Sequence, residues 1–559
     1  MKATDKIQLL ERVRTLEGLT DAERDAILSL INEHKTYGLV WEDKSEEAVT
    51  RLAKQYPVLT EVQERAIISD NPDSPNHILI EGDNLDALTA LTFTHEGKID
   101  VIYIDPPYNT GNKDFIYNDS YVDKDDGYRH SMWLSFMSRR LKIAKKLLSE
   151  RGVIFISIDD NEQANLKLLC DEIFGIKKYS GLISRKQSSG AKNDIGANRI
   201  TTNVDYILVY ANSLFEFNPI LVESKKTYPR VDSLGPFSPR ALEMQGDADT
   251  LLERPKMGYS IYYRESDQAI KLLFDYDIET NPIYSEPSKK LLNDGFSCYR
   301  PRKRGNVAGR WRWGQDTFIE KFNNNLVHFE NGRVFIKERA KNHIPKYPEA
   351  IWDEFLNTLG TNEVKEILGG RAFSFPKPMS LIKQIINFTK GLTILDFFAG
   401  SGTTLHSVMQ LNAEDGGRRQ CILCQGIEKD DDGEDRHICD NITYERNKRV
   451  IQGYTKQNGE TVEGLHHNNL RFYRLDFVSR EQTQENRRGL MVRSTDLLCI
   501  KEDLYTELPH FGNIELDPKG ARYFADDKKQ MLIIYIPEFI PYFVKEIDKM
   551  EVSEPIRVY

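Results

Sequence analysis

The stretch Val101–Gly111, VIYIDPPYNTG, ends an apolar run in an acid, two prolines and an aromatic residue. Each proline fixes φ and gives up a backbone donor, and each pushes the residue before it out of the helical region. Asp105-Pro106-Pro107-Tyr108 therefore reads as a stiff loop holding one carboxylate and one ring at the carboxyl end of a strand. Open α/β sheets bind their ligands at that end. A carboxylate there accepts hydrogen bonds from an amine, and a ring offers a stacking face.

A second stretch, LDFFAGSGTT (Leu395–Thr404), reads as a strand, a glycine turn and a helix start. Gly400 and Gly402 let a backbone approach a ligand closely, and a helix opened by Thr403 and Thr404 supplies free N–H groups. Glu428 is expected to end the next strand and to accept from a ribose diol, as acids do in dinucleotide folds. A nicotinamide oxidoreductase is thus one reading of GxG. The third glycine of that fingerprint is missing, since leucine stands there, and no GxxxxGK[ST] loop occurs.

The elements that must carry these loops alternate. HILIEGDNLDALTAL is a strand, a turn and a helix, and KIDVIYIDPPY is a second strand. A long helix runs through GYRHSMWLSFMSRRLKIAKKLLSERG, followed by the strand GVIFISIDDNE and the helix ANLKLLCDEIFG. Alternation of this kind predicts an α/β fold with a doubly wound parallel sheet. It lapses over residues 186–370, which read as an inserted domain, and resumes with GLTILDFFAGSGTTLHSVMQL and QCILCQGIEKD. One sheet is therefore expected from two pieces of chain, 61–185 and 371–460. Residues 1–60 read as a small helical segment, with a capping box at Thr20 and Glu23 opening an amphipathic helix over 21–34. Residues 461–559 read as a C-terminal domain in which ARYFADDKKQMLIIYIP forms a hairpin turning at Asp526–Lys529.

A chain of 559 residues with 40% hydrophobic and 29% charged residues has an ordinary globular composition. It has no apolar run long enough to span a membrane, and its first residues lack a signal-peptide core, so a cytoplasmic location is expected. Cys421 and Cys424 have CxxC spacing but lie in an apolar strand-like run, which favours buried cysteines over a zinc site. The net charge of −10 hides basic stretches. Arg300, Arg302, Lys303, Arg304, Arg310 and Arg312 fall together without an acid and interleave with Trp311 and Trp313. A second stretch runs from Arg185 to Arg199. Local phosphate neutralisation, rather than net charge, governs nucleic-acid binding, so both are candidate DNA contacts or else solvated loops.

DPPY followed by FxGxG, each at a strand end with a large insertion between, resembles the DNA amino-methyltransferases of the β group. HKTYGLVWEDK, NHILIEGDNLDAL, DPPYNTGNKDFIYND, FPKPMSLIKQII, ICDNITYERNKRVIQGY and NLRFYRLDFV resemble the modification subunits of type III restriction–modification systems. This likeness runs through nearly the whole chain, weakest over 210–340 and after 500.

The resemblance implies a Rossmann-like domain that uses S-adenosylmethionine, with 186–370 as its target-recognition domain. It implies methylation at N6 of a flipped-out adenine in double-stranded DNA, a homodimer, and a restriction (helicase–nuclease) partner. Asp105 and the Pro106 carbonyl would hold the amine, Pro107 would stiffen the loop, and Tyr108 would stack on the base. Asp83, Asp105, Lys377, Asp396, Phe398, Gly400, Gly402, Thr403, Thr404 and Glu428 would line the cofactor pocket. Glu428 lies in GIEKDDDGEDRH, longer than the family pattern, which leaves its register open. Asn109 and Lys113 follow the clamp and are candidate contacts to the flipped nucleotide. An N4-cytosine enzyme needs the same clamp, and a non-catalytic DNA-recognition subunit is the alternative from another class.

Overall fold

The computed structural model describes residues 39–559 except 112–114, 118–119, 124, 191–201, 224–225, 278–280, 342, 371, 430–434 and 551–553. The helix expected over 21–34 lies outside the described residues. So does Lys113.

Among the described residues, ten strands form the main sheet. In chain order they are β1 (Gln55–Glu61), β2 (Asn76–Glu81), β3 (Ile99–Ile104), β4 (Leu148–Ile158), β5 (Tyr179–Lys186), β6 (Val204–Ala211), β7 (Ile351–Trp352), β8 (Thr393–Asp396), β9 (Gln420–Gln425) and β10 (Asn469–Ser479). Their order across the sheet is β1-β10-β2-β9-β8-β3-β4-β6-β5-β7. The six strands from β10 to β4 run parallel, while β1 and β6 pair antiparallel at their flanks. The sheet is joined as expected. The second chain piece enters it between β2 and β3, with Ile394 opposite Val101 and Leu395 opposite Ile102.

Helices connect and cover the strands: α1 (Glu47–Lys54), α2 (Asn84–His95), α3 (Arg129–Leu147), α4 (Gln163–Phe174), α5 (Asn357–Leu368), α6 (Met379–Asn387), α7 (Thr403–Asp415) and α8 (Glu445–Gln452). The parallel strands are apolar on both faces because helices cover both. One core runs through both chain pieces, taking Ile102, Ile104, Ile154 and Ile156 together with Leu395, Ile422 and Cys424. Cys421 and Cys424 are fully buried in β9.

The inserted unit is shorter than 186–370. It spans Ile220–Lys346. VDYILVYA in β6 is a nearly continuous apolar run, and it is buried in the main sheet between β4 and β5. The polar stretch before it masked that role in the sequence. The unit has its own core of Leu242, Tyr259, Ile261, Trp311, Phe318, Val327 and Val334. A four-stranded antiparallel sheet and a three-stranded one frame that core.

The expected C-terminal domain is also not separate. β10 pairs with β1 and β2, so the residues after 461 belong to the compact unit that holds the main sheet. The hairpin there pairs Ala521–Ala525 with Gln530–Ile534, and the Asp526 amide donates to the Lys529 carbonyl at 3.0 Å. No described helix is long and apolar enough to cross a membrane.

Candidate active site

From β8 the chain moves through α7 to β9 on one side; from β3 it moves through α3 to β4 on the other. The carboxyl ends of β8 and β3 therefore flank a switch point of the sheet, where an open α/β fold leaves a crevice. An open cleft lies there, and Asp83, Asp105, Tyr108, Lys377, Phe398 and Gly400 all line it. The two sequence motifs meet although residues 109–394 separate them.

The DPPY loop is braced from behind. Trp133 Nε1 of α3 donates to the Pro107 carbonyl at 2.7 Å. Asn109 has a left-handed φ of 57° and is fully buried. Its Nδ2 donates to Glu162 Oε1 at 2.6 Å, so it anchors the loop and is not available to a nucleotide backbone. On the cleft side, Lys377 Nζ donates to Asp105 Oδ2 at 2.5 Å and to the Tyr108 hydroxyl at 3.0 Å. Asp105 Oδ1 is buried and has no hydrogen-bond partner among the described residues. Leaving a buried acceptor unpaired costs about 1–3 kcal/mol. Such an atom in a cleft is an acceptor waiting for a donor. Burial, and then the Asp105 carboxylate, raise the Tyr108 phenol well above its ordinary range.

The glycine turn is held as firmly. Asp396 Oδ1 accepts from the Phe398 amide at 3.0 Å, and Oδ2 accepts from Thr404 Oγ1 at 2.6 Å. Burial raises Asp396 to about 7, against these two hydrogen bonds. Thr403 Oγ1 donates to the Lys377 carbonyl at 3.1 Å, tying the turn to the FPKP segment. Lys377 thus reaches the clamp itself. Gly400 has φ 52° and lines the cleft. Gly402, at φ 73°, is required for a different reason from the one expected. A Cβ there would come within 2.3 Å of Asn447 Nδ2 and 3.1 Å of Thr443, so it permits packing against α8 rather than approach of a ligand.

Asp83 caps α2, accepting from the Leu85 amide at 2.8 Å, and its carboxylate lines the cleft 3.5 Å from Arg140. β9 ends at Gln425, whose Oε1 accepts from the Gly400 amide at 2.7 Å. Glu428 lies three residues farther on, in a short pairing with Arg436, and its side chain lies outside the described residues.

Two groups of residues escaped the sequence reading. Arg140 is 1% exposed; it donates to Glu46 Oε1 at 2.6 Å and to Asn84 Oδ1 at 2.5 Å. Asn84 in turn donates to the Phe397 carbonyl at 3.0 Å, which links α1 to the glycine turn through α3. Thr443, Arg446 and Asn447 brace that turn from α8 and the π-helical turn before it. Thr443 Oγ1 donates to the Gly400 carbonyl at 2.6 Å, and Arg446 donates to Ser401 Oγ at 3.0 Å and Thr403 Oγ1 at 2.7 Å. Burial lowers the Arg446 guanidinium, and Glu363 opposes the shift. Their signal was present in NITYERN: polar residues at i, i+3 and i+4 share one helix face.

The basic residues fare unevenly. Arg185 is fully buried, paired through Nε with Asp205 at 2.7 Å and through Nη1 with the Phe355 carbonyl at 2.7 Å. It holds the sheet edge and is closed to DNA. In the inserted unit Arg300 pairs with Asp275 at 2.5 Å, and Arg304 pairs with Asp249 at 2.8 Å. Arg310 is buried on the Ala248 carbonyl, and Arg312 donates to the Ala241 carbonyl. Trp311 is core, with Nε1 donating to the Tyr259 carbonyl. These acids and carbonyls are distant in sequence, which is why the stretch looked free. Arg302 and Lys303 are the exposed pair.

The family model of DNA methylases matches residues 99–457, a span that holds the clamp, the glycine turn and the inserted unit. The chain belongs to the DNA methylase family. This methylase is 36% identical to the type II methyltransferase M.KpnI of Klebsiella pneumoniae, over 63% of its own length and 81% of that protein's. It is 32% identical to the StyLTI Mod subunit of a type III restriction-modification enzyme of Salmonella typhimurium, over 75% of this chain and 63% of that one. With the EcoP15I Mod subunit of Escherichia coli it shares 30% identity, over 76% and 70%.

Proposed function

We propose that this methylase transfers a methyl group from S-adenosylmethionine to N6 of an adenine flipped out of double-stranded DNA. It would act as the modification subunit of a type III restriction–modification system, as a homodimer with a restriction subunit as further partner. The observation that carries the reading is Asp105: one oxygen is held by Lys377 and the other is buried without a donor among the described residues at the switch point.

The cleft fits the cofactor in its donor set. Asp83 offers a carboxylate to a cationic group, Phe398 and the half-exposed Ile427 offer apolar faces, and Gly400 presents backbone without a side chain. When bound, the sulfonium supplies an activated methyl group for in-line displacement. The chain's own part is to bind and orient the base. An exocyclic amine is a poor nucleophile because its lone pair is delocalised into the ring. Asp105 Oδ1 accepts one amine hydrogen and the Pro106 carbonyl the other, which draws the nitrogen toward tetrahedral geometry and returns the lone pair. Tyr108 stacks on the flipped ring, a contact of roughly 1–3 kcal/mol. Positioning, with hydrogen bonds aimed at the changing charge, supplies the rate.

The test is direct. Purified protein is incubated with unmethylated bacterial DNA and S-adenosylmethionine, the DNA is digested to nucleosides, and the bases are identified by mass spectrometry. N6-methyladenine supports the proposal. N4-methylcytosine keeps the clamp and overturns the base. The absence of any methylated base, despite a cofactor-induced rise in melting temperature, returns the chain to a recognition role.

A further inference from the structure

Lys377 has a position that cofactor binding does not explain. Its Nζ lies 2.5 Å from Asp105 Oδ2, 3.0 Å from the Tyr108 hydroxyl and 5.1 Å from the centre of the Tyr108 ring. The side chain is 10% exposed. Its backbone is built into the frame. Thr403 Oγ1 donates to the Lys377 carbonyl, Glu363 receives the Met379 amide at 2.9 Å, and Gly360 must lack a side chain because a Cβ would meet the Pro376 carbonyl at 2.3 Å. Among the described residues an ammonium therefore sits beside the clamp carboxylate and near the hydroxyl edge of the stacking ring.

A base stacked on Tyr108 brings its polar edge to this place. Adenine presents there an amine, which donates, next to the ring nitrogen N1, which accepts. Asp105 and Lys377 present the complement, an acceptor next to a donor. We propose that Lys377 and Asp105 together read this edge, with the Lys377 ammonium, held beside Asp105 Oδ2, donating to N1 while the target amine donates to Asp105 Oδ1. The inference rests on the adenine reading above and deepens it. It gives the pocket a means of rejecting thymine and guanine, whose corresponding edges carry a carbonyl beside an N–H and so set donor against donor and acceptor against acceptor.

The experiment pairs an atomic change in the base with one in the protein. The methylated site is first mapped by sequencing DNA treated with the wild-type protein. Duplexes are then made with adenine or 1-deazaadenine at that position; the analogue keeps the amine and replaces N1 with C–H. Affinity, measured with sinefungin present, and single-turnover methylation are compared for the wild type and Lys377→Met. In the wild type the analogue should bind about five- to tenfold more weakly, the size of one buried hydrogen bond. In Lys377→Met the two duplexes should bind alike, and Lys377→Gln, which keeps an N–H donor, should retain part of the difference. An equal analogue penalty in the wild type and Lys377→Met overturns the inference. So does a wild type indifferent to the analogue, an arm that needs no variant to fold. Methylation of the unmodified duplex tests the underlying reading separately. If that fails, both fall; if it succeeds and the analogue penalty does not depend on Lys377, only this inference falls.

Discussion

Asp396 and Thr404 close the glycine turn on itself: the hydroxyl on the first turn of α7 donates to the carboxylate that ends β8, at 2.6 Å, and both side chains are buried. The bond ties the first turn of the helix to the end of the strand at the wall of the cleft. Thr404→Val keeps the shape and removes the donor. It should cost about 1–3 kcal/mol, the price of an unpaired buried acceptor, as read from urea unfolding. A change within a few tenths of a kcal/mol would mean that the turn is held by its backbone alone.

The same carboxyl makes stability depend on pH. Burial raises Asp396 from 3.8 to about 7 in the folded chain. The folded state then takes up the proton before the unfolded state does. Its contribution is fully present below about pH 4 and is lost as pH rises toward 7. Asp396→Asn should remove that loss. The melting-temperature difference, variant minus wild type, should therefore increase between pH 5 and pH 7, and a flat difference would contradict the buried carboxyl.

Asp105→Ala takes away the clamp and leaves the cofactor side of the cleft. It should reduce methylation at least about 100-fold while preserving most of the S-adenosylmethionine-induced rise in melting temperature. Wild-type turnover in this variant would move the amine-holding role elsewhere.

Gly402→Ala should destabilise the fold because its new Cβ meets Asn447 and Thr443. The expected cost is about 1–3 kcal/mol. Asn447→Ala in the same chain should recover part of it, a coupling that a double-mutant cycle measures. Simple additivity would place the strain in the left-handed backbone rather than in the contact.

In the inserted unit, Arg302→Glu with Lys303→Glu should weaken DNA binding and flatten its logarithmic dependence on salt by about 1–2 in slope. Arg304→Glu breaks pairs with Asp249 and Glu243 and should lower the unit's melting temperature instead. An unchanged salt slope in the double variant would make these two residues solvated and nothing more.

Much of the frame was legible because it is written in short range. VIYIDPPY and LDFFAGSGTT each join a buried strand to a loop of special geometry, and local propensity decides both. Their meeting followed from the alternation of strands and helices. The boundaries of the insertion did not. β6 is as apolar as any core strand, but nothing local says which sheet a lone strand will join.

Residue by residue, the chain alone determined which groups could hold an amine and bind a ligand at a strand end: Asp105, Tyr108, Gly400. Only the tertiary structure decided what each charged side chain is free to do. Arg185 and Asp205, Arg300 and Asp275, Arg446 and Ser401, and Lys377 and Asp105 find each other across intervals that periodicity does not span. The reason is physical. A strand or helix start is fixed by neighbouring backbone, whereas a buried charge is fixed by whichever partner desolvation forces upon it, and the fold brings that partner from anywhere.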